Sequence, residues 1–129
     1  MKEVRGFPPN YKEIEEVLHP RRSAVFTYGD TIYIPYYEGS LSYDLIVHEE
    51  THKRQQGAKP DLWWTMYLKD PKFRLNQEVE AYRNQYRFFA KGRDRNMAYK
   101  FLYIIAHDLS SAMYGNIITH EEAIKRIKK

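Results

Sequence analysis

The sequence predicts an α+β protein, mainly helical, with a small β-hairpin or sheet packed on one motif-bearing helix. Three observations lead there. Apolar residues recur at helical spacing through most of the chain beyond residue 43. Only residues 24–34 read as strand, with β-branched and aromatic residues on either side of Gly29-Asp30. Finally, 129 residues at 43% hydrophobic and 16% aromatic content suffice for a core and argue against disorder, so residues 1–129 are expected to form a single domain.

Taken in order, Asn10-Tyr11-Lys12-Glu13 reads as the capping box of a short helix that buries Tyr11, Ile14 and Leu18 and stops before Pro20. Ala24 to Tyr28 and Thr31 to Ile34 flank the Gly29-Asp30 turn and predict a hairpin. Pro35 has no N–H to give to a ladder, which places the second strand at a sheet edge. Ser40 or Ser42 caps the next helix, which spans residues 43–56 and ends where Gly57 and Pro60 follow. Leu41, Leu45, His48 and His52 fall on one stripe of it, so both histidines emerge from an apolar face. Asp61 caps a short helix over residues 60–68, and Asp70 caps a long one that Pro71 opens and that reaches residue 90. A further long helix covers Arg95 to Met113, with Met97, Phe101, Ile104, Ile105 and Ala112 on one stripe and Asp108 among them. Thr119-His120-Glu121-Glu122 is the capping box of a final basic helix.

The chemistry concentrates in His48-Glu49-Glu50-Thr51-His52. Two histidines four apart on a helix point the same way and can grip one metal ion, and Glu49 sits where it reaches a water on that metal as general base. This H-E-x-x-H pattern reads as a zinc hydrolase, most often a metallopeptidase. It arises by accident in roughly one per cent or fewer of chains this short. The chain has no cysteine, which excludes disulfides and thiolate sites, so Zn2+ must take nitrogen and oxygen ligands.

A third ligand is needed. A histidine six residues after His52 would make the metzincin pattern, but that position is Ala58, and Gln55 stands where the pattern has glycine. A carboxylate from a later helix remains, and Asn76 to Tyr82 offers Glu78 and Glu80. Glu78 shares its face with Leu75, Val79, Tyr82, Tyr86 and Phe89. Glu80 lies opposite, where it reads as a solvated charge that pairs with Arg83 or sits near Arg87. A carboxylate inside an apolar stripe is costly unless compensated, and a zinc ion on His48 and His52 compensates it. Glu78 is the expected ligand and Glu80 the alternative.

With His48-Glu49-x-x-His52 followed on a later helix by Glu78-x-x-Ala81, the chain resembles the gluzincin zinc metallopeptidases, in a minimal form like their small phage-type members. The resemblance covers two helices, roughly residues 43–56 and 73–90. It implies a zincin-like domain in which His48, His52 and Glu78 bind zinc and Glu49 is the catalytic base. Members often read E-x-x-A-D at the second motif. The Asp, which would orient a ligating histidine, is Tyr82 here, so support for the histidines must come from elsewhere. In zincins an edge strand before the metal-binding helix commonly aligns an extended substrate. By that likeness Thr31 to Tyr37 would do so, the alternative being a small sheet that caps a helical core.

Several residues compete for supporting roles. Asp108 or Asp44 could accept the free N–H of a ligating histidine. Tyr114 is the first candidate to donate to a carbonyl oxygen as negative charge develops on it, with His107 and His120 behind it. The plain alternative at Ser110 to Asn116 is a helix-ending turn with ordinary caps. Trp63 and Trp64 read as core rather than as the wall of a groove.

The net charge of +4 is unevenly spread. Between Ser23 and His52 there are five acids and no Lys or Arg, whereas Arg83 to Lys100 holds six bases against Asp94 alone. A solvated basic helix face accounts for this, and with no accompanying motif nucleic acid is not an expected partner. No apolar run suits a signal peptide or a membrane span, so a cytoplasmic protein without a membrane partner is expected. The expected function is hydrolysis of peptide bonds in a peptide or protein substrate by a zinc-activated water, with Glu49 as base. The alternative is a non-catalytic zinc-stabilised regulatory or binding module that uses its basic helical surface, for which Glu49 would be unnecessary.

Overall fold

The longest helix, α4 (Pro71–Ala90), starts on a local signal: Asp70 accepts hydrogen bonds from the backbone N–H groups of Lys72 (2.9 Å) and Phe73 (3.3 Å), and Pro71 occupies the first turn. The remaining elements of the computed structural model, which describes residues 1–129, are arranged around it. They are β1 (Lys2–Val4), α1 (Tyr11–Leu18), β2 (Phe26–Tyr28), β3 (Thr31–Tyr33), α2 (Tyr43–Gln56), α3 (Pro60–Lys69), α5 (Arg95–Leu109), a 3-10 turn (Ala112–Tyr114) and α6 (His120–Lys128). The fold is thus α+β and mainly helical, with one three-stranded sheet. No helix is long and apolar enough to cross a membrane.

Helix α4 packs against α2 on one side and against α5 and α6 on the other. The second contact is the largest apolar cluster, in which Leu102, Leu109 and Ile127 are almost wholly buried. Each such side chain contributes roughly 1.5–3 kcal/mol on removal from water. A second cluster joins Ile14 of α1 to Phe26 of β2 and to Trp63, Trp64 and Tyr67 of α3. A third sets Ile32 and Ile34 under Leu41 and Leu45, so the sheet lies on the start of α2.

The hairpin forms around Gly29, whose φ of +64° suits the first position of a tight two-residue turn. The strand order is β1-β3-β2. This corrects the edge placement of the second strand: β3 is central, parallel to β1 and antiparallel to β2. Pro35 permits it because the pairing is already complete, the last bond running from the Ile34 N–H to the Val4 carbonyl at 2.8 Å. The short, exposed β1 carries no alternating pattern that would announce it.

Other expectations also shift. Asn10 precedes α1 but its side chain caps nothing, and Ser42 likewise precedes α2 without a side-chain cap bond. Lys59, not Asp61, stands at the cap position of α3, and Asp61 instead accepts a hydrogen bond from the Tyr28 hydroxyl. Helix α5 stops at Leu109, four residues short of Met113. It buries Ala98, Leu102, Ile105, Ala106 and Leu109, while Met97 and Ile104 are exposed. The helix carries two adjacent apolar stripes, both at helical spacing, and contact with α4 and α6 decides which is buried.

Candidate metal centre

The face of α2 that carries the H-E-x-x-H motif points into the protein, and His48, Glu49 and His52 are all buried. Helix α4 brings Glu78, only 3% exposed, to the same place. The two imidazole Nε2 atoms are 3.2 Å apart. Glu78 Oε1 lies 3.2 Å from His48 Nε2, and Glu78 Oε2 lies 3.2 Å from His52 Nε2. One ligand atom from each residue falls within 4.8 Å of the others, so this buried group could hold a metal ion. Glu78 Oε1 is also one of only two fully buried side-chain polar atoms with no hydrogen-bond partner, the other being Asn10 Oδ1. A buried anionic oxygen left without a donor is costly, and a cation between the three side chains would remove that cost.

The electrostatics point the same way. Burial opposes a charge on Glu78, but the adjoining histidines outweigh it and hold its pKa below the usual carboxylate range. Burial likewise opposes a positive His52, yet Glu78 carries its pKa up to about 9. The protein groups by themselves attract positive charge to the point where the three side chains meet. Tyr67 steadies the carboxylate by donating to Glu78 Oε2 at 2.6 Å.

Glu49 stands beside this group rather than in it. Its Oε2 is 3.8 Å from His48 Nε2, and its Oε1 accepts a hydrogen bond of 2.8 Å from the Thr27 hydroxyl on β2. Burial raises the pKa of Glu49, with the histidines and Thr27 pulling the other way. The carboxyl group is therefore fixed in direction and poised to take up a proton more readily than an exposed glutamate.

Tyr114 comes to the same cavity, which is also lined by His48, Glu49, His52 and Glu78. Its hydroxyl is 2.7 Å from that of Tyr82, whose ring packs edge-on against His48. Each tyrosine carries one hydroxyl hydrogen and their mutual bond uses one, so the pair keeps a second to offer. Buried Arg74 ties the site's flanks together, donating Nε to the Tyr114 carbonyl at 3.0 Å and Nη1 to the Tyr67 carbonyl at 2.6 Å. Trp63 packs on His52, and both tryptophans are buried while also lining the cavity.

The other candidates lie elsewhere. Asp108 does not face a histidine; it pairs with Arg21 at 3.1 Å. Asp44 touches neither ligand, and its Oδ2 accepts from Gln85 Nε2 at 2.9 Å. Gln85 Oε1 in turn meets His48 Nδ1 at 2.9 Å, and Gln55 Oε1 meets His52 Nδ1 at 2.8 Å. Glu80 is exposed, as its helix face requires, but it accepts from Gln55 Nε2 at 2.7 Å rather than pairing with Arg83 or Arg87. His107 and His120 neighbour each other on the α5–α6 surface, where His120 Nε2 donates to the Tyr103 carbonyl. Of the expected substrate-aligning segment Thr31 to Tyr37, the strand part, Thr31–Tyr33, is not a free edge because β3 is paired on both sides. The edge strand beside the motif is β2. There the Thr27 carbonyl is already taken by Gln56 Nε2 (2.8 Å) and Trp64 Nε1 (3.0 Å).

Sequence reasoning missed Thr27, Gln55, Tyr67, Arg74 and Gln85. Gln85 alone left a usable trace: it lies two turns after Glu78, on the same face of α4. The chain matches no protein-family model, no curated protein and no solved structure.

Proposed function

We propose that this protein is a zinc-dependent metallopeptidase in which His48, His52 and Glu78 hold the ion and Glu49 is the general base. The observation that carries the reading is the convergence of two Nε2 atoms and a carboxylate at separations of 3.2 Å, with a separately tethered glutamate alongside. Ligand atoms around a tetrahedral zinc stand about 3.3 Å apart, and two histidines with one carboxylate is a donor set that leaves the fourth position open. No fourth His, Cys, Asp or Glu joins this group, which supports an open catalytic site over a closed structural one. The order of the ligands along the chain is that of the gluzincins.

A zinc ion bound there would lower the pKa of a water molecule and polarise a substrate carbonyl. The protein's own groups do the rest. Glu49 Oε2, the oxygen not tied to Thr27, accepts the proton of the attacking water and returns it to the leaving amine nitrogen. Tyr114, through the spare hydroxyl hydrogen it shares with Tyr82, donates to the carbonyl oxygen as charge builds on it. The apolar walls contributed by Phe26, Trp63 and Trp64 exclude bulk water and strengthen both interactions.

The test pairs metal analysis of the purified chain with digestion of unfolded casein, with and without a chelator. One zinc per chain and cleavage that chelation abolishes and zinc restores are expected. Zinc without cleavage would reassign the site to a structural role, and a chain that takes up no zinc would end the proposal.

A further inference from the structure

The two histidines are held in the same manner by different parts of the chain. Gln85 places Oε1 at His48 Nδ1 (2.9 Å) and donates from Nε2 to Asp44 (2.9 Å). Gln55 places Oε1 at His52 Nδ1 (2.8 Å) and donates from Nε2 to Glu80 (2.7 Å) and to the Gln77 carbonyl (3.0 Å). An ionised carboxylate only accepts hydrogen bonds, so the NH₂ end of each amide must face it; the reversed amide would set oxygen against oxygen. The carbonyl ends then face the imidazoles, and each Nδ1 must carry the hydrogen. That leaves the Nε2 atoms, which point at each other and at Glu78, as the ones free to bind a cation.

We propose that Gln55 and Gln85 are positioning residues, each passing the orienting pull of a carboxylate through its amide to one metal-binding histidine. The inference rests on the metal centre proposed above. Both links bridge the same pair of helices, because Asp44, His48, His52 and Gln55 belong to α2 whereas Glu80 and Gln85 belong to α4. Ligand direction is thereby tied to the docking of α2 on α4. The amide also solves a burial problem. Exposed Glu80 and half-buried Asp44 keep their charges near water, while neutral side chains carry the hydrogen bonding inward to imidazoles that already face one buried anion, Glu78.

Two readouts on the full chain test this, with zinc itself as the probe. In competition with a chelator, Gln85→Ala and Gln55→Ala should each bind zinc about 10–100-fold more weakly than wild type. Asp44→Asn combined with Gln85→Glu reverses the polarity of one link but keeps both hydrogen bonds, and should return affinity to within about threefold. In the metal-free wild type, NMR should show slowly exchanging Nδ1–H signals from both His48 and His52, each lost in the corresponding glutamine variant. Wild-type affinity in both alanine variants, or an Nδ1 without hydrogen in the wild type, would overturn the proposal. If the wild type takes up no zinc, the peptidase reading fails, and the Nδ1–H signals by themselves still decide the role of the glutamines.

Discussion

The two buried sides of α4 hold by opposite means. Toward α5 and α6, Val79 and Tyr82 join Leu102, Ile105, Leu109 and Ile127 in a cluster whose contacts are almost all apolar. Toward α2, Glu78 and Gln85 meet His48, His52 and Asp44 through charge and hydrogen bonds. Dispersion and the hydrophobic effect have little direction, so the first side asks only for apolar volume of about the right size. Each polar group on the second side needs its partner at a set distance and angle. One side therefore governs whether the chain folds, and the other whether the folded chain brings together the three side chains that could hold a metal ion.

This contrast can be broken at several points, starting where the effect is greatest. His48→Ala should leave a folded protein that retains no zinc after dialysis; undiminished metal content would remove the polar side's special role. Glu49→Gln should keep zinc, because that carboxylate is not among the ligand atoms, while turnover falls about 10²–10⁴-fold. Steady-state kinetics beside metal analysis will show whether binding and catalysis separate. On the apolar side, Leu102→Ala should cost about 2–5 kcal/mol in denaturant unfolding, with the zinc affinity of the folded fraction unchanged. A joint loss would mean that the two sides are coupled through α4. Zinc at a hundred times its dissociation constant should stabilise the wild type by about 2.7 kcal/mol and the His48→Ala protein not at all. The mildest change is Thr27→Val, which removes one hydrogen bond to Glu49. It should slow turnover roughly fivefold, the equivalent of about 1 kcal/mol, without touching metal content.

The same contrast explains what could be read before the structure. Glu78 was legible over Glu80 because a carboxylate amid Leu75, Val79 and Tyr82 has no solvated explanation, and the structure does bury Glu78 and expose Glu80. The capping of α4 by Asp70 and of α6 by Thr119 was equally legible, each being an interaction within three residues. The stripe of α5 was misread because Met97 and Ile104 are as apolar as Ala98 and Leu102, and only the neighbouring helices choose between them. The central place of β3 depended on β1, a three-residue partner some thirty positions away. The glutamine links escaped because Gln is an ordinary surface residue until a histidine and a carboxylate flank it.

By itself, then, the sequence determined what helical periodicity controls: that His48 and His52 share a direction, that Glu49 stands next to them, and that Glu78 rather than Glu80 turns inward. Those relations hold within a few residues of one rigid helix, whose pitch is the same in any protein. Only the tertiary structure decided that Glu78 meets the histidines at 3.2 Å, that Thr27 holds Glu49, and that Gln55 and Gln85 rather than Asp108 stand behind the imidazoles. Those contacts cross between elements, and their geometry is set by how whole helix faces dock, which no local pattern encodes.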